Sequence, residues 1–409
     1  MNTTIRVKLA VMMFLEFFVW GSWAVTMGTY LSKLGFDGTQ IGTAYTATGW
    51  AAIVSPFFIG MVADRFFSAE RVLGVLHLVG AGIIYYASTV QDFSLFFPIL
   101  LAYALCYMPT LALVNAIAFN VIDDPGKQFP MIRVFGTIGW IAAGLTITYV
   151  LGSSIPGVDG TAIPMRMAAI ASAVLGVYSF FLPNTPPKGA GKAVTISDVL
   201  GLESLSLMKD RSFAIFVIAS LVISIPLAFY YNFTNLFLNE LGMEGVAAKM
   251  SYGQMSEIFF MIVFPFFFIR MGIKWTLAAG MAAWAVRYVL FANGDTDSLI
   301  SLLYLGILLH GICYDFFFMT GHIYVNREAP KEIQASAQGF IALVTYGVGM
   351  VIGSMLSGPI VDAYKIVGTD GAVTGHDWQS IWMIPAGMAF AVLVVFVLLF
   401  KEPEEKAAA

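Results

Sequence analysis

The sequence predicts an all-α membrane protein: twelve transmembrane helices in two six-helix, pseudo-symmetric bundles. Three observations carry that expectation. Hydrophobic residues make up 59% of the chain, charged residues only 11%, and the mean hydropathy is +0.83, which leaves too few charges to cover a water-facing surface. Twelve apolar runs can each cross a hydrocarbon core about 30 Å thick. The longest polar interruption, residues 183–211, divides those runs six and six, as a tandem duplication would. The expected organisation is an N-terminal bundle over 1–182, a cytoplasmic loop over 183–211, a C-terminal bundle over 212–401 and a short tail over 402–409.

The runs are 8–32, 39–63, 71–90, 93–121, 131–152, 164–182, 212–238, 248–269, 274–293, 298–325, 335–361 and 378–400. Arg6 and Lys8 precede the first, as in a signal peptide, but that run continues to Leu31 without a small-residue cleavage site, so a retained span is expected. With the N-terminus cytoplasmic, fifteen lysines and arginines fall on that side and four on the other, which puts both termini inside. Long basic clusters are missing, so nucleic-acid binding is not expected. Cys106 and Cys313 both lie within apolar runs and read as small core residues. No HExxH, Gly-x-Ser-x-Gly or Walker loop occurs. An enzyme, a metal site or a cofactor is therefore not expected, and uphill work would have to come from an ion gradient.

Polar groups inside the runs mark the candidate site. A carboxylate at mid-membrane costs roughly 3 kcal/mol on insertion scales, so Asp315, in the second half of the tenth run, points to a polar interior and to proton chemistry. In the first run Glu16, Trp20, Trp23 and Met27 share one helical face; the indoles either line a cavity or anchor at the interface. In the fourth, Pro109 interrupts the ladder beside Tyr107 and Thr110, making either a cavity kink or a packing kink. Arg133, Thr137 and Trp140 lie on one face of the fifth, flanked by Gly136 and Gly139, which permit close helix contact. Arg133 suits a gate or a ligand clamp, unless it snorkels to the surface.

In the seventh run Tyr231 and Asn235 are one turn apart and offer the donors and acceptors that a hydroxyl-rich ligand or a base edge needs. Gln254 and Glu257 stand at i, i+3 in the eighth; the carboxylate can accept from sugar hydroxyls while the amide reads a polar edge. Arg287 in the ninth either pairs with a buried acid or rises to the interface. His310 and Tyr314 share the tenth run with Asp315, whereas His77 in the third reads as a packed, satisfied histidine. Gly347, Gly349, Gly353 and Gly358 in the eleventh read as close packing or a flexing helix.

Two resemblances add to this. Gly60, Asp64 and Arg65, in GMVADR at the end of the second run, resemble the G-x-x-x-D-R loop signature of the major facilitator superfamily, in which the Asp and Arg lock neighbouring helix ends in one conformation. Further blocks run nearly end to end: WGSW from Trp20, LGFDGTQIG from Leu34, YMPTLALVN from Tyr107, IRVFGTIGW from Ile132, SEIFFMIVFPFFFIRMGIK from Ser256, YDFF from Tyr314, ASAQG from Ala335 and DWQSIW from Asp377. In that order they resemble the bacterial nucleoside:H+ symporters, a branch of that superfamily. The resemblance implies the major facilitator fold, a nucleoside cavity, and ligand or coupling roles for Arg133, Thr137, Gln254, Glu257, Tyr314 and Asp315, with Trp140 at an aromatic position.

The chain departs from the family pattern at Glu16, where Gln is expected, at YYNFTN from Tyr230, and at His310, where Tyr is expected. These departures bear on base preference and proton stoichiometry. The expected function is proton-coupled nucleoside import at the bacterial inner membrane, by a monomer, with substrate contacts from Arg133, Thr137, Trp140, Tyr231, Asn235, Gln254, Glu257 and Tyr314. Asp315, Glu257 and Glu16, in that order, are the candidate proton carriers. The alternatives are a symporter for another polyhydroxylated solute such as a sugar, and a non-transporting sensor on the same fold.

Overall fold

In lipid, backbone polar groups must be satisfied within the chain, and apolar runs of this length do so as helices. The computed structural model describes residues 2–62, 66–187 and 202–402. Helices α1 (Thr3–Trp23), α2 (Met27–Lys33), α3 (Gly38–Val62), α4 (Ala69–Ala87), α5 (Phe93–Val121), α6 (Pro125–Leu145) and α7 (Ile163–Ser179) fill the first part. They are followed by α8 (Arg211–Glu240), α9 (Val246–Asn293), α10 (Ile300–Leu308), α11 (His310–Tyr314), α12 (Thr320–Glu328), α13 (Gln334–Ala342), α14 (Met350–Ala363) and α15 (Trp378–Leu399). Wide π turns cover Thr146–Leu151, Asp315–Met319 and Leu343–Gly349. Several starts are set by side-chain caps: Asn2, Asp92, Asp124 and Asp377 accept from the amides of Thr4, Leu95, Lys127 and Ser380.

Among the described residues, nine helical runs are long and apolar enough to cross a bilayer. The twelve sequence-derived ranges fall largely on helix, with three differences. The first breaks at 24–26, between α1 and α2. The eighth and ninth join in the 48-residue α9, interrupted only at Gly272, whose φ of 68° is open to glycine; there the Ile273 amide donates to Glu402 at 2.8 Å. Between the last two ranges, outside any apolar run, β1 (Lys365–Val367) and β2 (Val373–His376) pair antiparallel. Of the loop motif, Gly60 falls within α3, while Asp64 and Arg65 lie outside the described residues.

Contacts divide the chain into two compact units. Unit 1 comprises Met1–Ile196, Tyr230–Gln254 and Ser354–Asp362; unit 2 comprises Ser197–Phe229, Met255–Gly353 and Ala363–Ala409. The core of unit 1 gathers Leu9, Met13, Leu73, Leu113, Ile117, Ile132 and Leu175 from α1, α4, α5, α6 and α7. Large apolar side chains also face outward, with Ile269 81% and Leu398 75% exposed, as a lipid-facing surface requires.

Three contacts in unit 1 tie residues from late in the chain to early ones. Asp362 accepts from the amides of Gly38 and Thr39 at 2.7 and 2.8 Å, capping the start of α3. The Thr148 hydroxyl accepts from the Ala248 amide at 3.0 Å. Asn232 donates to Ser354 and Ser357 at 3.0 and 3.2 Å.

Candidate functional site

In unit 1 the site is built on α1 and α6. A Cβ on Gly139 would strike the Phe14 carbonyl, and one on Gly136 the Phe17 ring and the Arg133 guanidinium. These glycines let the two helices touch along their backbones. Arg133 therefore stacks over Phe17 at 4.1 Å, and the Trp20 and Trp140 rings meet edge-on at 5.5 Å. Tyr107 lies 5.9 Å from Trp20. Arg133, Thr137 and Trp140 are all half-buried, so each retains an accessible edge. Trp23 is buried against Tyr103 at 5.5 Å and belongs to the packing.

Glu16 lies behind this aromatic face and is fully buried. Its carboxylate meets the His77 Nε2 at 2.9 Å and accepts from the Thr110 hydroxyl at 2.6 Å. The other histidine nitrogen meets the Ser172 hydroxyl at 2.9 Å. His77 is thus the direct partner of a candidate proton carrier, beyond the satisfied packing residue that the sequence suggests. The signal was a lone imidazole in an apolar run, which needs a polar partner.

Asn235, expected at the ligand, has its amide in a knot: Thr29 donates to it at 2.5 Å and Asn239 at 3.1 Å, while it donates to Asp159 at 3.1 Å. Asp159, in the short 3-10 turn Val158–Gly160, lies outside the spans; burial pushes its carboxyl above the usual range, against hydrogen bonds from Asn235, Asn239 and the Ala247 amide. Tyr231 is half-buried with its ring against Tyr230 at 5.5 Å. Gln254 is buried, and its Oε1 has no hydrogen-bond partner.

In unit 2 a charged cluster lies within the helices. Asp315 opens the π turn that follows α11, is 1% exposed, and its Oδ2 has no hydrogen-bond partner. Glu257 is half-buried, close enough for its charge to act on Asp315. Its carboxylate lies 3.9 Å from the His310 Nε2. The Nδ1 of that ring meets an Arg287 guanidinium nitrogen at 3.2 Å, and the same nitrogen donates to the Cys313 sulfur at 3.7 Å. Of the two placements open to Arg287, the structure takes the buried one, at 0% exposure. An arginine only donates, so the His310 Nδ1 accepts and its proton sits on Nε2, facing Glu257.

Tyr314 lies 5.6 Å from His310 and 4.8 Å from Phe318, and its hydroxyl meets that of Tyr346 at 2.7 Å. Tyr346 was not singled out from the sequence; a tyrosine within a glycine-rich apolar run is the signal for it. Unit 2 therefore brings Glu257, Tyr314 and Asp315 into one cluster, and unit 1 brings together Arg133, Trp140 and Trp20 with Glu16 behind.

Helices that bury arginine, carboxylates and histidine while exposing isoleucine and leucine mark a membrane protein with a polar functional interior. A model of the Nucleoside H+ symporter family matches residues 1–405, and the chain belongs to that family. It is 44% identical to the candidate nucleoside transporter YegT of Escherichia coli (strain K12), covering 99% of this chain and 96% of that one. It is 35% identical to the xanthosine permease of the same organism, covering 98% of each. Among solved structures, the nucleoside transporter NupG superposes with a TM-score of 0.87 at 33% identity, over 98% of this chain and 100% of that one. A POT family transporter, at 13% identity and a TM-score of 0.72, shares the fold. These likenesses identify a multi-pass inner-membrane transporter of the major facilitator type, and they do not favour the sugar-symporter or sensor alternatives.

Proposed function

We propose that this proton-coupled nucleoside transporter works as an importer by alternating access, with bundles at 1–182 and 212–401, both termini cytoplasmic, and a monomer as the working unit. Membership of the symporter family along almost the whole chain supports the transport reading. Arg133, Thr137, Gln254 and Glu257 bind ribose and base polar groups, and Trp140 and Tyr314 pack the planar base. The unpartnered Gln254 Oε1 suits a ligand donor. Asn235 and Tyr231 shape the site's edge, since the Asn235 amide is already committed.

Asp315 carries the coupling proton, with Glu257 and Glu16 as further titratable groups. The observation behind this choice is its burial with an oxygen that has no hydrogen-bond partner, beside a second carboxylate. Two such acids do not both ionise cheaply. Proton binding changes the pairing at this cluster and so biases one conformation. One proton moving down about 100 mV supplies roughly 2.3 kcal/mol, which sustains about a 45-fold accumulation. The test is uptake of labelled uridine or adenosine in a transporter-null strain. Asp315→Asn abolishes uphill accumulation and leaves nucleoside exchange measurable; accumulation at the wild-type level removes Asp315 from the role.

A further inference from the structure

We propose that Glu16 and His77 form a proton-holding pair in unit 1, a coupling station separate from Asp315. This rests on the proton-coupled reading above and deepens it. Four buried groups make the pair: Glu16 on α1, His77 on α4, Thr110 on α5 and Ser172 on α7 are at most 2% exposed. Five contacts connect them to each other and to the backbone. Thr110 meets the Glu16 Oε1 at 2.6 Å and the Tyr107 carbonyl at 2.5 Å. Glu16 Oε2 meets His77 Nε2 at 2.9 Å, His77 Nδ1 meets Ser172 Oγ at 2.9 Å, and Ser172 Oγ meets the His77 carbonyl at 3.0 Å.

Each hydroxyl has one hydrogen to give, so counting hydrogens decides which protonation states the network favours. With Glu16 ionised and His77 neutral, Thr110 donates to the carboxylate, His77 Nε2–H donates to the carboxylate, and Ser172 must turn its hydrogen toward Nδ1. Three of the five contacts are then made, and both main-chain carbonyls lose theirs.

Adding one proton raises this to four contacts, in any of three placements. On the imidazole, Nδ1–H donates to Ser172, whose hydrogen is freed for the His77 carbonyl. On Oε1, Glu16 donates to Thr110, which is freed for the Tyr107 carbonyl. On Oε2, Glu16 donates to Nε2 while Nδ1–H donates to Ser172. The loaded pair thus gains one hydrogen bond over the empty one, and its proton has three sites. It also relieves the burial of an unmatched negative charge. The step is a proton transfer alone: an O–H or N–H bond forms when the proton arrives and breaks when it leaves, and the nucleoside is unchanged.

The surrounding groups make this charge count. On α5, Tyr107 donates its hydroxyl to the Glu16 carbonyl at 2.8 Å, and both the Glu16 and the Arg133 charges act on that phenol. Tyr103, also on α5, packs edge-on against Trp23 at 5.5 Å. On α7, Arg166 is turned to Ser88 and Tyr178 to the Lys8 carbonyl. On α4, Glu70 accepts from the Thr185 amide. Arg133 on α6 is turned to the Phe17 ring, 4.1 Å away. Loading the pair cancels the negative charge behind the Phe17–Trp20 face.

The test uses three variants in proteoliposomes: Glu16→Gln, His77→Gln and Thr110→Val. For the first two, accumulation of labelled nucleoside falls at least about tenfold further than counterflow does. Thr110→Val conserves shape but takes one charge-assisted donor from the carboxylate. That favours the loaded state and moves the pH of half-maximal uptake up by about one unit. Infrared difference spectra of the purified protein across about pH 5 to 8 probe the pair without substrate: a pH-dependent carboxyl or imidazole band is expected that E16Q and H77Q each abolish and T110V displaces.

Wild-type accumulation in both E16Q and H77Q, or an unshifted pH profile and band in T110V, overturns the proposal. If the glutamine variants do not fold, T110V decides alone. Absence of nucleoside counterflow in the wild type would instead overturn the transport reading, and the infrared titration would still judge the pair.

Discussion

Each unit sets a glutamate beside a buried histidine, and the two pairs differ in what stands behind the imidazole. In unit 1, His77 is 2.9 Å from Glu16 and its far nitrogen faces a serine. In unit 2, His310 is 3.9 Å from Glu257 and its far nitrogen faces an arginine. Serine donates or accepts, so His77 can take up a second proton. Arginine only donates, so His310 is held neutral with its proton toward Glu257. The third residue, more than the acid–base pair itself, decides whether a buried histidine can change charge.

The largest way to break this contrast is Arg287→Gln. It removes the cation from a cluster that holds Glu257 and Asp315, which costs about 3–5 kcal/mol when one partner of a buried charged group is lost. Thermal unfolding in detergent should show a large drop in midpoint. Protein that still folds should gain a pH-dependent imidazole signal from His310, because an amide can accept from Nδ1–H. A silent His310 in folded R287Q would mean that the neighbouring guanidinium does not set the tautomer.

A smaller change, Ser172→Ala, strips His77 of its two-way partner. Stability should fall by about 1–3 kcal/mol, the cost of a buried nitrogen left unpaired. The loaded proton should then reside on Glu16, strengthening the carboxyl infrared band at the expense of the imidazole one. The smallest effect is expected at Asp159, where no charged partner contributes. Burial raises its folded carboxyl above the 3.8 of a free aspartate. The stability it contributes is therefore complete below that value and is lost as pH rises through the raised one. Asp159→Asn should flatten this slope in unfolding midpoints taken from acid to neutral pH and should leave the two histidine pairs untouched.

Much of the architecture was readable in the chain, because lipid imposes helices on apolar runs of this length. The Arg133, Thr137 and Trp140 face was equally readable, since residues at i, i+4 and i+7 of one helix need no tertiary knowledge. The Glu16–His77 pair was not. Its members are 61 positions apart, on helices whose contact no local spacing reveals, and each looks by itself like a lone polar residue. Arg287 left two placements open for the same reason: only the fold shows that His310 lies within reach. The partners of Asn235 were hidden likewise, because an amide free to read a ligand and one tied to Thr29, Asn239 and Asp159 have the same sequence appearance.

The wide turn at Asp315–Met319 has a bearing on how such chains are compared. It contains one residue more than a regular α turn, so side chains beyond it are rotated by about 100° from where uniform stepping would put them. A helical wheel drawn from Leu302 onward therefore assigns wrong faces after Met319, although the helix still ends at Glu328. Two relatives matched residue for residue along this span will present the same surface only if both keep the surplus residue in the same place.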